Sequence, residues 1–187
     1  MNVTENLLTL GGRNRPGRKI IEPRAVVLHW LAAANQRPVN TRAWFEQGHV
    51  YGSAHYIIGT DGQILRVLPE DEIGYHVGTS RPDPASGRKY TAGARRLFGE
   101  DVCNRGMCNF YALGIEMSHL DMNPGTFSEA TLAAAAELCA DILKRYGKTA
   151  DILMTHNGVV GWKDCPRLWT NRPELFDEFK ARVRSLM

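Results

Sequence analysis

Apolar and polar positions divide the chain into a polar lead-in and a patterned body. Residues 1–24 hold Gly11, Gly12, Pro16, Gly17 and Pro23 among charged side chains, and they predict an irregular basic arm. Ala25-Val26-Val27-Leu28 is then a continuous apolar run dense in β-branched residues, the pattern of a strand buried on both faces, and it stops at His29-Trp30. Thr41 to Gly48 reads as a short helix closed by a glycine. His55-Tyr56-Ile57-Ile58 and Ile64 to Leu68 flank Gly59-Thr60-Asp61-Gly62-Gln63, whose Asp-Gly step signals an antiparallel hairpin. Periodicity disappears over residues 79–109, which carry Pro82, Pro84, Gly87, Gly93, Gly99 and Gly106. A stretch of that length without pattern reads as an irregular insertion, functional or mobile.

Tyr111 to Met117 restores a strand pattern. Thr126-Phe127-Ser128-Glu129 has capping-box spacing, and Leu132, Ala135, Ala136, Cys139, Ile142, Leu143 and Tyr146 follow at helical intervals before Gly147. Ile152-Leu153-Met154 predicts a last strand delivering Thr155-His156. Pro173 opens a terminal helix with Leu175, Phe176, Phe179, Val183 and Leu186 on one face. Strands interleaved with helices, plus one hairpin, predict an α/β fold: a single domain over 25–187 with a mixed central sheet and helices on its faces. His29, Glu116 and His156 then stand at or near strand ends, where open α/β sheets gather ligands.

Composition narrows the picture. The 187 residues, 43% hydrophobic and 23% charged, suit one domain. A net charge of +3 is well short of the concentrated charge of nucleic-acid binding, so no nucleic-acid partner is expected. The clusters at Arg13 to Arg24 and at Arg81, Arg88, Lys89, Arg95 and Arg96 read foremost as solvated loop charge, with an anionic polymer surface as the alternative. No apolar run approaches the ~18 residues of a membrane span, and the first twenty residues lack the apolar stretch of an export signal. The expectation is a soluble monomer, without membrane association, made in the cytoplasm. Four cysteines in such a chain argue against a disulfide scaffold and for metal binding or burial.

The segment from Thr155-His156 to Lys163-Asp164-Cys165-Pro166 concentrates the chemistry. A histidine at a strand end and a cysteine nine residues on, across a Gly-containing loop, can fold onto one ion, with His29 as third ligand. Zinc accepts imidazole and thiolate together, and a catalytic zinc keeps three protein ligands and one open position. Lys163 and Glu116 add a cation and a carboxylate, a hydrolase's inventory.

These residues resemble the type 2 group of zinc-dependent N-acetylmuramoyl-L-alanine amidases, which includes phage endolysins and peptidoglycan recognition proteins. The matching stretches are Val26 to Trp30, Ser53 to Gly62, Ile73 to Gly78, Leu113 to Met117, and Thr155-His156 through Pro166, in family order. The resemblance implies one Zn2+ held by His29, His156 and Cys165, with Glu116 and Lys163 as catalytic partners. It implies a peptidoglycan hydrolase cutting the amide between N-acetylmuramic acid and L-alanine, as a phage or prophage endolysin or a bacterial autolysin reaching the wall after release. The alternatives are a cytosolic muropeptide-recycling amidase, whose third ligand is a carboxylate, and a non-catalytic recognition module, in which the cysteine ligand is usually lost.

The resemblance places His76 in the substrate groove. Where some phage members carry a catalytic tyrosine this chain has Ala54; Tyr56, two residues on, is the substitute candidate as a substrate-binding residue. His55 and His119 read as supporting or surface residues and Cys139 as core. Cys103 and Cys108 could form a local disulfide, a second metal site or free thiols.

Overall fold

The computed structural model describes residues 1–187, and its six strands form one sheet. They are β1 (Val3–Glu5), β2 (Ala25–Trp30), β3 (Tyr56–Ile58), β4 (Ile64–Arg66), β5 (Ala112–Met117) and β6 (Leu153–Thr155), in spatial order β1-β4-β3-β5-β2-β6. β3 and β4 are antiparallel across the expected hairpin, and every other neighbouring pair is parallel. The mixed α/β sheet read from the sequence is the sheet observed.

Side chains alternate across a strand, so the fully buried β2 supplies two different cores. Val26, Leu28 and Trp30 join Leu113, Ile115 and Met117 under the helices α4 (Glu129–Arg145) and α7 (Pro173–Ser185). Ala25, Val27 and Ala112 face the other way, against Tyr90, Phe98, Val159 and Val160. The register sets His29 directly opposite Glu116.

Helix ends follow capping chemistry more than hydrophobic period. The helix α1 (Pro38–Gln47) starts three residues before Thr41, because Pro38 takes the first helical position, where a missing N–H is not missed. It ends at Gly48, whose φ of +64° glycine adopts without steric cost. α4 is capped by Ser128 rather than Thr126: Ser128 Oγ accepts the Thr131 N–H at 3.0 Å. Thr126 is held in the preceding turn, where its carbonyl accepts from the Leu120 N–H. On α7, Phe179 and Val183 are buried as expected, whereas Leu186 lies past the helix end and is exposed.

Two stretches are more ordered than their composition suggests. In the arm, β1 extends the sheet beside β4, Leu8 is buried, and Arg15 forms an ion pair with Glu72, both largely out of solvent. The insertion folds into two helices, α2 (Ala92–Phe98) and α3 (Glu100–Asn104), with a 3-10 turn at Cys108–Tyr111. Thr91 caps α2 by accepting the Ala94 N–H at 3.1 Å. Elements this short complete too few turns for a period to register. The basic clusters are partly neutralised: Arg88 and Arg95 pair with Glu100, and Lys19 with Asp71. Cys103 and Cys108 are free thiols with their sulfurs 3.7 Å apart, and Cys139 is a core residue of α4.

Candidate metal centre and active site

The site lies beyond the carboxyl ends of β2, β5 and β6. β2 carries His29 near its end. β6 runs parallel beside it, and Thr155 Oγ1 accepts the Gly158 N–H at 2.9 Å, starting the helix α5 (His156–Val160) with His156 as its first residue. The chain then loops back. The Asn157 N–H donates to the Cys165 carbonyl at 2.8 Å, and Asn157 Nδ2 donates to the Lys163 carbonyl at 3.0 Å. These bonds close the neck of the loop and bring Cys165 beside the histidine nine positions earlier.

His29 Nδ1 lies 3.1 Å from His156 Nδ1 and 3.8 Å from Cys165 Sγ, and one donor atom from each of the three residues falls within 4.8 Å of the others. All three side chains are buried. A tetrahedral zinc with Zn–N of ~2.0–2.1 Å and Zn–S of ~2.3 Å would set its nitrogens roughly 3.3 Å apart and nitrogen and sulfur roughly 3.6 Å apart. The observed spacings are close to both, so the donor set fits a metal ion in chemistry and in size.

Electrostatics favour neutral ligands. Burial, then the neighbouring imidazoles, hold His29 well below the usual histidine range; burial and the Lys163 charge bring His156 down to about 3. Their ring nitrogens are therefore unprotonated enough to donate lone pairs. Burial, reinforced by Glu116, pushes the Cys165 thiol up to about 12, so its proton leaves only in exchange for a cation.

Glu116 Oε2 is buried without a hydrogen-bond partner. Burial pushes this carboxyl up to about 8, with the Lys163 charge opposing. Lys163 itself is exposed at the rim. The five residues line a cavity of about 540 Å³, whose other wall carries Trp44, Tyr51 and Tyr75. The arm helps to build that wall: Asn14 Nδ2 donates to the carbonyls of Phe45 and Val50, and Asn14 Oδ1 accepts the Gly52 N–H. Sequence reasoning missed Trp44, Tyr51 and Asn14, because nothing in α1 or the arm marks residues that meet only through tertiary contacts.

The remaining candidates separate. His76 lines the cavity, with its Nδ1 3.1 Å from His29 Nε2. Tyr56 does not reach the site, which corrects its reading as a groove residue. Its side chain joins the core under α4, and its hydroxyl donates to Glu70 at 2.6 Å; Ile57 is the β3 residue paired with Glu116. His55 is buried, bonded to Gly114 and Glu72, and His119 lies against the Trp30 ring at 4.4 Å.

Comparisons with known proteins bear on the family and the fold. The family model described as N-acetylmuramoyl-L-alanine amidase matches residues 17–168. A probable N-acetylmuramoyl-L-alanine amidase of Bacillus licheniformis is 30% identical over 191 residues, covering 100% of this chain and 48% of the relative. The chain thus spans about half the length of the curated relatives it matches. Among solved structures, PlyL superposes with a TM-score of 0.73 at 14% identity, covering 100% of this chain and 99% of that one. A mutant endolysin from Bacillus subtilis gives 0.70 at 20% identity over 97% and 98% of the two chains. On the extent of the family match and the convergence of His29, His156 and Cys165, the chain belongs to the type 2 N-acetylmuramoyl-L-alanine amidase family.

Proposed function

We propose that the chain hydrolyses the amide joining N-acetylmuramic acid to the L-alanine of the peptidoglycan stem peptide, using one Zn2+ held by His29, His156 and Cys165. The observation that carries this reading is the buried two-nitrogen, one-sulfur triad with a partnerless carboxylate opposite it. Zinc, when bound, supplies Lewis acidity, acidifying water to a pKa of about 7 and polarising a carbonyl. Glu116 takes the proton of the attacking water on its carboxylate and passes it to the departing amine nitrogen. A carboxyl drawn towards neutrality by burial can do both, and neighbouring positive charge keeps enough of it ionised to act first as a base. The Lys163 ammonium meets negative charge developing on the former carbonyl oxygen, a contribution of about 2.7–4 kcal/mol at comparable donors.

Cys165 supports the amidase reading over the recycling and recognition alternatives, since a thiolate completes the ligand set where those would have a carboxylate or no ligand. Every one of these groups comes from one chain, which suits a monomer. The natural setting would be the bacterial cell wall, reached after the protein leaves the cytoplasm in which it is made. The test is incubation of purified peptidoglycan with the zinc-loaded protein, measuring new alanine amino termini. Release abolished by a chelator and restored by zinc is expected. Binding to the wall without any release would overturn the proposal.

A further inference from the structure

Behind the three candidate ligands lies a row of buried imidazoles whose hydrogen bonds fix where each proton sits. His76 Nε2 faces the Ala112 carbonyl at 3.3 Å. A carbonyl only accepts, so Nε2 carries the proton and a neutral His76 is left with a bare Nδ1. That Nδ1 faces His29 Nε2 at 3.1 Å, so it accepts and His29 Nε2 donates. His29 is thereby left with its lone pair on Nδ1, the atom turned toward His156 and Cys165. The direction of the whole chain follows from one backbone oxygen.

The ring of His76 is held in place by what lies around it. A Cβ on Gly114 would stand 2.7–2.8 Å from three of its ring atoms, so the imidazole occupies the room that this glycine leaves open. The backbone on either side of the ring is anchored as well: the N–H groups of His76 and Val77 both donate to Asn109 Oδ1, at 3.1 and 3.0 Å. His55 takes up the Gly114 N–H at its own Nδ1 and donates from Nε2 to the Glu72 carbonyl, so it leaves no proton to compete for His76.

We propose that His76 is a positioning residue for the metal site, holding His29 in the Nε2-protonated tautomer that presents Nδ1 to the ion, with Gly114 as the space that lets it do so. The inference rests on the reading of His29, His156 and Cys165 as metal ligands. Outer partners of this kind are typically worth ~10–100-fold in metal affinity. His76 lines the cavity through this role, without being required to touch substrate.

The test measures zinc affinity by competition with a chromogenic chelator, and the proton positions by long-range 1H–15N NMR of histidine-labelled, metal-free protein. His76→Leu is expected to weaken zinc binding by ~10–100-fold. His76→Gln, whose amide offers one acceptor and one donor, should recover most of that loss. Gly114→Ala should reproduce the loss without altering His76 itself. In the unsubstituted chain, His29 and His76 should both be protonated at Nε2 and bare at Nδ1. Unchanged zinc affinity in a folded His76→Leu variant, or a proton on His29 Nδ1, would overturn the inference. If His76→Leu fails to fold, the NMR measurement on the unsubstituted chain decides. A chain that binds no zinc at all would instead remove the reading of the triad, while the tautomer measurement would still judge the hydrogen-bond chain.

Discussion

The two faces of the β2–β5 pair differ as much as any two regions of the molecule. On one, Val26, Leu28, Trp30, Leu113, Ile115 and Met117 pack into hydrocarbon beneath α4 and α7. On the other, shifted by a single residue, Ala25, Val27 and Ala112 pack into a second core, and only the carboxyl end of the pair carries His29 and Glu116. Burying apolar area stabilises at roughly 25 cal/mol per Å², whereas a buried polar atom without a partner costs about 1–3 kcal/mol. Glu116 Oε2 is of the second kind. The apolar packing offsets the cost of that polar end, so the two should respond to substitution in opposite currencies, stability under α4 and α7 and chemistry at His29 and Glu116.

The contrast is broken most sharply at Cys165. Cys165→Ser should abolish stoichiometric zinc, measured by elemental analysis, and lower turnover by about a thousandfold, since a metal's contribution of several kcal/mol is lost. His156→Ala should do the same. Glu116→Gln should keep the zinc yet lose ~10²–10⁴-fold in turnover, the usual worth of a positioned acid–base group.

Glu116→Gln also has a signature in the metal-free chain. The native carboxyl holds its proton up to about 8 while the unfolded chain releases it near 4.5. Between those limits the folded state binds more protons, so stability falls as pH rises from 4.5 towards 8. Thermal melts of the metal-free protein across that range should show this fall, and the Gln variant should show a flatter profile. Equal slopes in both would remove burial as the cause.

On the opposite face, Leu28→Ala should cost about 2–5 kcal/mol in denaturant unfolding, with zinc affinity of the folded fraction unchanged. Tyr56→Phe should cost only about 1 kcal/mol, the worth of its bond to Glu70, and leave hydrolysis untouched. A large loss of activity in Tyr56→Phe would mean that the division between the faces is not clean.

Much of this was legible along the chain. The β2 run, the Asp-Gly hairpin and the α4 stripe announce themselves by period, and the triad by residue chemistry, because His156 and Cys165 stand only nine positions apart. What escaped depends on neighbours rather than on pattern. The alternation rule carries from Ala54 to Tyr56, but the strand begins only at Tyr56, and the residue paired with Glu116 is Ile57, packed with Phe45 and Leu65. The insertion hid two helices of seven and five residues. The service of Asn14 to the cavity wall joins positions more than thirty residues apart, as its bonds to Phe45 and Val50 record.

The pairing of His29 with Glu116 across parallel strands has a consequence for how such a protein can change. The gap between imidazole and carboxylate is ruled by a ladder of backbone bonds, which do not depend on side-chain identity. Connecting segments can lengthen, shorten or be exchanged, and the span is preserved. Only a slip of the strands would disturb it, and such a slip by one residue would turn the imidazole into hydrocarbon and Leu28 or Trp30 into the cleft. The spacing of imidazole and carboxylate and the integrity of the fold are therefore lost together, leaving little room for a misaligned yet intact form.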